Sequence, residues 1–169
     1  MPRPVPGTYP SYFETYISLI KENDVSEAIR AQDAFINDYF LSIPQNKHEY
    51  AYAPGKWTLK ELLQHIIDTE RIFQYRALCF ARGEKQSLPG FEEDDYAAAS
   101  NANARNWQDL CSELKSVRKS SLVLYESFTD AMLGQAGVAN NKSFSCNAIG
   151  FCIAGHLQHH KNIIEERYL

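Results

Sequence analysis

The chain has 169 residues, enough for one domain to bury a sizeable core without staples. A net charge of -4, with one small basic cluster at Lys115, Arg118 and Lys119, provides no stripe to neutralise a run of phosphates, so nucleic acid is not an expected partner. No stretch approaches the roughly 18 apolar residues that span a bilayer, and the opening MPRPVPGTYP lacks the apolar centre of a signal peptide, so the expectation is a soluble cytoplasmic protein with no membrane partner.

Residues 1–10 hold four of the seven prolines and read as an extended lead-in, with a short helix in SYFETYISLIKE after it. Residues 1–23 are therefore expected to form an N-terminal extension packing on a single bundle domain of residues 24–169. Asp24, with Glu27 three residues on, caps a first long helix whose face carries Val25, Ala28, Ile29, Ile36, Tyr39 and Phe40. Gln32 interrupts that face, and Pro44 stops the helix. In KWTLKELLQHIIDTERIFQYRALCFARG, Thr58 is the N-cap, Glu61 completes a capping box and Gly83 is the exit. This second helix runs for about 24 residues, or roughly 36 Å.

The segment EKQSLPGFEEDDYAAASNAN joins Pro89-Gly90 to an acidic patch and reads as a long connection with some local helix. A third helix carries Trp107, Leu110, Cys111, Leu114, Val117, Leu124 and Phe128 on one side. GQAGVANNKSFS reads as a Gly/Asn loop with a brief extended piece at its end, and a fourth helix runs from about Asn147 to the C-terminus. No alternation is long enough to build a sheet, which points to an all-α four-helix bundle. Cys79, Cys111, Cys146 and Cys152 show no CxxC spacing and are expected to be reduced and mostly buried.

The last helix places histidines where core side chains belong. With Ile149 at zero and about 100° per residue, His156 falls near -20° and His160 near +20°, in the middle of the inward stripe. His159 falls near -80°, on its border. A pair at i and i+4 has Cβ atoms about 5 to 6 Å apart, and both rings can reach one ion at about 2.0 to 2.1 Å. A pair of core histidines bonded to carbonyls or carboxylates of neighbouring helices fits the same pattern. His65, inside the second helix, is the natural third ligand, although its position on the flank of the apolar face also suits a half-exposed structural histidine. His48, in the polar loop PQNKHEYAYAP, is expected to be solvated.

The strings YAPGKWTLKELLQHIIDTERIFQYRALCFARGEK, LPGFEEDDY, GVANNKSFS and IAGHLQHHKNIIEERYL, in this order and spacing, resemble the DinB-like (YfiT-like) superfamily of metal-dependent enzymes over nearly the whole chain. The resemblance implies a four-helix bundle with up-down-down-up topology, often a homodimer, holding a divalent metal on three histidines. It assigns the first ligand to the histidine after WTLKELLQ, here His65, and the other two to the HxxxH of the last helix, here His156 and His160. Zinc or nickel leads among the metals, with iron or copper also suited to imidazole. The implied activities are thiol-dependent S-transfer, using a low-molecular-weight thiol, and hydrolysis of a small-molecule substrate.

Asp68 and Glu61 lie about a turn either side of His65, and Asp68 is the candidate carboxylate behind that ring. FEEDDY is either a lid over the cleft or a solvated helix start. Tyr75, Arg71 and Arg76 are candidates to meet a substrate anion, against the commoner fate of surface pairing with glutamates. No GxSxG, Walker A or Rossmann fingerprint occurs. The alternative to an enzyme is a non-catalytic metal-binding bundle acting as a stress-response interaction module. An open coordination position facing a reachable cavity would favour catalysis, and a fourth protein ligand would favour structure.

Overall fold

The proline-rich start is tied down rather than loose. In the computed structural model, which describes residues 2–169 apart from the side chains of residues 34 and 37, Arg3 donates to the main-chain oxygens of Ile17, Ile20 and Glu22. A 3-10 turn (Ser11–Phe13) leads into a single helical turn, α1 (Glu14–Ile17). Asp24 then accepts from the N–H groups of Ser26 and Glu27 and starts α2 (Val25–Leu41). The Thr58/Glu61 capping box opens α3 (Leu59–Ala81), and Gly83, at φ +80°, takes the left-handed conformation just beyond its end. The acidic segment forms α4 (Glu93–Ala99), and α5 (Trp107–Glu126) and a short α6 (Asp130–Leu133) follow. Ser145 caps α7 (Cys146–Ile163), whose last turn widens over Ile164–Tyr168.

The four long helices form a ring in which α2 packs on α5 and α7, and α3 packs on the same two. Contacts along each pair give the directions. Trp107 donates to the Phe40 carbonyl and Arg30 pairs with Glu126, so α2 and α5 are antiparallel. Gln74 donates to Val117 and Arg71 pairs with Glu113, so residue numbers rise together and α3 runs parallel to α5. Gln32 reaches the Ala154 carbonyl and Lys161 sits over Tyr39, so α2 and α7 are parallel. Cys146 meets the Ala77 carbonyl while His156 meets His65, so α3 and α7 are antiparallel. The topology is up-down-down-up, and two of its three connections cross the bundle diagonally.

One region departs from the all-helical expectation. β1 (Ala136–Ala139) and β2 (Lys142–Ser145) pair antiparallel, with Ala139 opposite Lys142. The two turn residues, Asn140 and Asn141, have φ of 49° and 58°, the two positive values that a type I′ turn requires and asparagine tolerates. Leu88 adds hydrogen bonds to Val138 and Asn140, so the chain after α3 extends the ribbon. Four-residue strands are too short for a convincing alternation in the sequence.

Two glycines allow the close approaches that shape the site. A Cβ on Gly155 would lie 2.2 Å from the Tyr16 main-chain oxygen, so its absence lets α1 lie directly on α7. A Cβ on Gly137 would lie 2.1 Å from the Phe80 ring, so the hairpin sits equally close on α3.

Two charged or polar residues read as surface groups are inside. Arg118, counted in the basic cluster, is 0% exposed and pairs at 2.8 Å with Glu70, which is 2% exposed. It also donates to Gln32 at 3.0 Å and to the Ile153 carbonyl at 3.5 Å, so the residue that interrupted the first helix face makes a polar contact within the core. His48 is also buried, because its ring stacks on Trp107 at 4.2 Å and its Nε2 lies 3.0 Å from the Ile43 carbonyl. The four cysteines are free, with Cys79 half-buried and the rest buried.

Candidate metal centre

The Thr58 cap fixes the start of α3 and so the height of His65 along it, while the Ser145 cap does the same for His156 and His160 on α7. Because α3 and α7 run antiparallel, the three side chains converge. The Nε2 atoms of His65 and His160 each lie 3.0 Å from Nε2 of His156. The three ligand atoms all fall within 4.8 Å of one another. Tetrahedral bonds of about 2.0–2.1 Å would set nitrogens about 3.3 Å apart, which two of the three separations approach.

Imidazole chemistry makes this arrangement one that could hold a cation. A neutral ring offers one N–H and one lone pair, so Nε2 of His156 can complete a hydrogen bond with one neighbour but not with both. Burial holds His156 and His160 well below the usual histidine range, and it lowers His65 to about 4. Three neutral imidazoles with converging lone pairs are a donor set for a divalent ion. Nδ1 of His65 has the Thr69 hydroxyl at 3.5 Å, while Nδ1 of His160 is buried with no protein partner among the described residues.

The depressed values have a consequence for the metal-free protein. An unfolded histidine takes up its proton near pH 6.5, and folded His65 only near about 4. Between these values the unfolded chain holds more protons, so stability present above pH 6.5 is lost as the pH falls. Melting temperature in chelator should therefore drop between pH 6.5 and 4, and the drop should be shallower in His65→Asn. Equal slopes in the two proteins would contradict the assignment of this loss to His65.

Two cavities reach the cluster. One, of about 250 Å³, ends at His156 and is walled by Phe13, Tyr16, Phe73, Arg76 and Phe144. The other, of about 300 Å³, ends at His160 between Trp57, Asp94, Ile163 and Tyr168. Glu93 borders both, so the first turn of α4 forms part of the roof of the site. The FEEDDY segment is thus a solvated helix start and also a cover.

Other candidates fall differently. Asp68 accepts from Gln64 at 2.9 Å and lies 3.8 Å from Arg71, which corrects its expected place behind His65. Thr69, at i+4, has its hydroxyl 3.5 Å from Nδ1 of His65, whereas the Asp68 carboxylate is engaged by Gln64 and Arg71 instead. Glu61 serves its cap and accepts from Asn103. Arg71 pairs with Glu113, and Tyr75 is exposed. Arg76 lines the first cavity, and His159 remains at the edge, its ring 5.2 Å from that of Tyr16. The residue missed in the sequence is Tyr16, whose ring is 5.4 Å from that of His156, while Glu93 and Asp94 belong to the FEEDDY segment already considered as a cover. Nothing short of the Gly155 contact points to Tyr16, while the acidic run did mark α4.

No curated protein matches the chain. The solved structure of YfiT from Bacillus subtilis, described as a probable metal-dependent hydrolase with an unusual four-helix bundle topology, is 13% identical, with a TM-score of 0.68 over 97% of this chain and 92% of that one. At that identity the likeness speaks for the fold. The family model of the DinB superfamily matches residues 29–164, a span that contains all three clustered histidines. The chain belongs to the DinB superfamily.

Proposed function

We propose that the protein is a metal-dependent enzyme that binds one divalent ion through His65, His156 and His160 and acts on a small molecule, as a hydrolase or as a thiol-dependent S-transferase. The observation that carries this reading is the convergence of three Nε2 atoms within 4.8 Å at the inner end of two cavities. The description of YfiT as a probable metal-dependent hydrolase agrees with it. Among the described residues the cluster includes no fourth His, Cys, Asp or Glu, which favours an open coordination position over a closed structural site.

Bound to three neutral imidazoles, a divalent ion keeps its full charge and supplies Lewis acidity, lowering the pKa of a coordinated water or thiol. The protein's own groups do the rest. Trp57, with its ring 4.6 Å from that of His65, and Tyr16, against His156, restrict water on either side of the cluster. Burial raises the Tyr16 phenol above its usual range, so it stays protonated and can donate to an oxygen that gains negative charge. Glu93, exposed at the mouths of both cavities, is the carboxylate placed to take up a proton.

The test is a panel of small activated esters, amides and alkylating electrophiles, each with and without a low-molecular-weight thiol. Turnover should disappear on chelation and return with zinc or nickel, while the helical signal and cooperative melt persist in chelator because the core suffices for folding. Turnover that survives complete removal of metal would refute the proposal, and so would a chain that unfolds on chelation and shows no turnover when reloaded.

A further inference from the structure

The cavity that ends at His156 contains a buried positive charge, Arg76, that makes no ion pair among the described residues, although Glu93 also borders the cavity. Arg76 is 9% exposed and lines this cavity of about 250 Å³. Its Nη2 donates to the Pro89 carbonyl at 2.9 Å, and its Cζ lies 5.9 Å from the centre of the Phe91 ring. No carboxylate pairs with it among the described residues, whereas Arg30, Arg71, Arg105 and Arg118 all have acidic partners. Burial lowers its pKa with no nearby acid to oppose the effect. Arg76 also borders a smaller cavity of about 130 Å³ beside Pro89 and Phe91, and a buried guanidinium at such a junction, with no further hydrogen bond among the described residues, is a vacancy for an anion.

The walls indicate what the anion is attached to. Phe13 packs edge-on against Phe73 and Phe144, and Phe73 lies 6.3 Å from the ring of His156, so an aromatic lining leads to the histidines. Arg76 is eleven residues beyond His65 on α3, a rise of about 16 Å, so a molecule of several heavy atoms is needed to approach both ends. With Nη2 engaged by Pro89, one edge of the guanidinium remains for two oxygens in the bidentate manner of a carboxylate. The other cation of the cavity, Lys142, is exposed at its rim, and Glu93 at the mouth repels additional negative charge. These features favour a monoanion over a phosphate dianion.

We infer that this cavity is a substrate pocket in which Arg76 seats the carboxylate of a small acid with an aryl or branched apolar body, directing its other end to the histidine cluster. Binding of the acid rests on the cavity alone. That the bound acid is the molecule turned over rests on the proposed metal centre.

The experiment is calorimetric titration of the full chain, once in chelator and once loaded with zinc, using 3-phenylpropionate, its uncharged amide and phenyl phosphate. The acid should bind both forms, more tightly than either analogue. Arg76→Gln, which keeps a donor for Pro89, should weaken the acid about tenfold or more and leave the amide unchanged, and Arg76→Lys should fall between. Melting curves establish that both variants are folded. The inference is overturned if the acid does not bind, if phenyl phosphate binds more tightly, or if affinity is indifferent to residue 76. It is likewise overturned if the acid binds only with zinc and equally well in Arg76→Gln, since the carboxylate then sits on the ion. Failure of the chain to take up zinc would instead sink the metal centre and leave binding of the acid in chelator intact.

Discussion

Arg118→Met is expected to destabilise the protein by about 3–5 kcal/mol, because it leaves the Glu70 carboxylate buried without its cation. Arg118 and Glu70 are 0% and 2% exposed. Their network reaches every long helix: Arg118 donates to Gln32 of α2 at 3.0 Å, Gln32 donates to the Ala154 carbonyl of α7 at 2.8 Å, and Ser121 of α5 donates to Glu70 of α3 at 2.5 Å. Burial alone would push the Glu70 carboxyl towards its neutral form, and Arg118 opposes that shift. Removing Arg118 therefore costs more than one hydrogen bond. Adding Glu70→Met to Arg118→Met should recover much of the loss, because no buried charge is then left unpaired. Urea unfolding of the wild type, the two single variants and the double variant measures the coupling. Additive losses would show that the two side chains do not act as a pair.

The largest functional effects are expected at the three clustered histidines, with the Nε2 of His156 lying 3.0 Å from those of both His65 and His160. Alanine at position 156 removes the central ligand and leaves two donors on different helices. His65→Ala and His160→Ala each leave two donors also, and all three variants should lose about 100-fold or more in metal affinity, since two imidazoles make a poor site for an ion that needs three protein ligands. His159→Ala should lose far less. Its ring is half-buried at the stripe's edge, packed near Tyr16, and it is not part of the convergent cluster.

Much of this architecture could be read from caps and periodicity. Asp24, Thr58 with Glu61, and Gly83 mark helix ends by local hydrogen bonding, which depends on neighbours a few residues away. The inward phase of His156 and His160 follows from helical geometry alone. Their meeting with His65 does not, because it depends on α3 and α7 being neighbours in the ring, and only the family resemblance pointed there. What local signals could not reveal are contacts made across the bundle. Arg118 looked like a member of a surface cluster, since its partner Glu70 is 48 residues away in the chain. His48 sits in a polar loop, and only the distant Trp107 shows why its ring is covered. Asp68 was placed within a turn of His65, where proximity in sequence did not separate it from Thr69. The hairpin was hidden by strands of four residues, yet it builds the wall of the cavity that Arg76 faces.

Elemental analysis of protein purified without a metal-affinity column puts the central claim to its most direct trial. The wild type and His159→Ala should each carry close to one divalent ion per chain, and the alanine variants at 65, 156 and 160 should carry almost none while remaining folded. A wild-type chain that holds no ion and takes none up from solution, or an ion retained when His156 is gone, would contradict it.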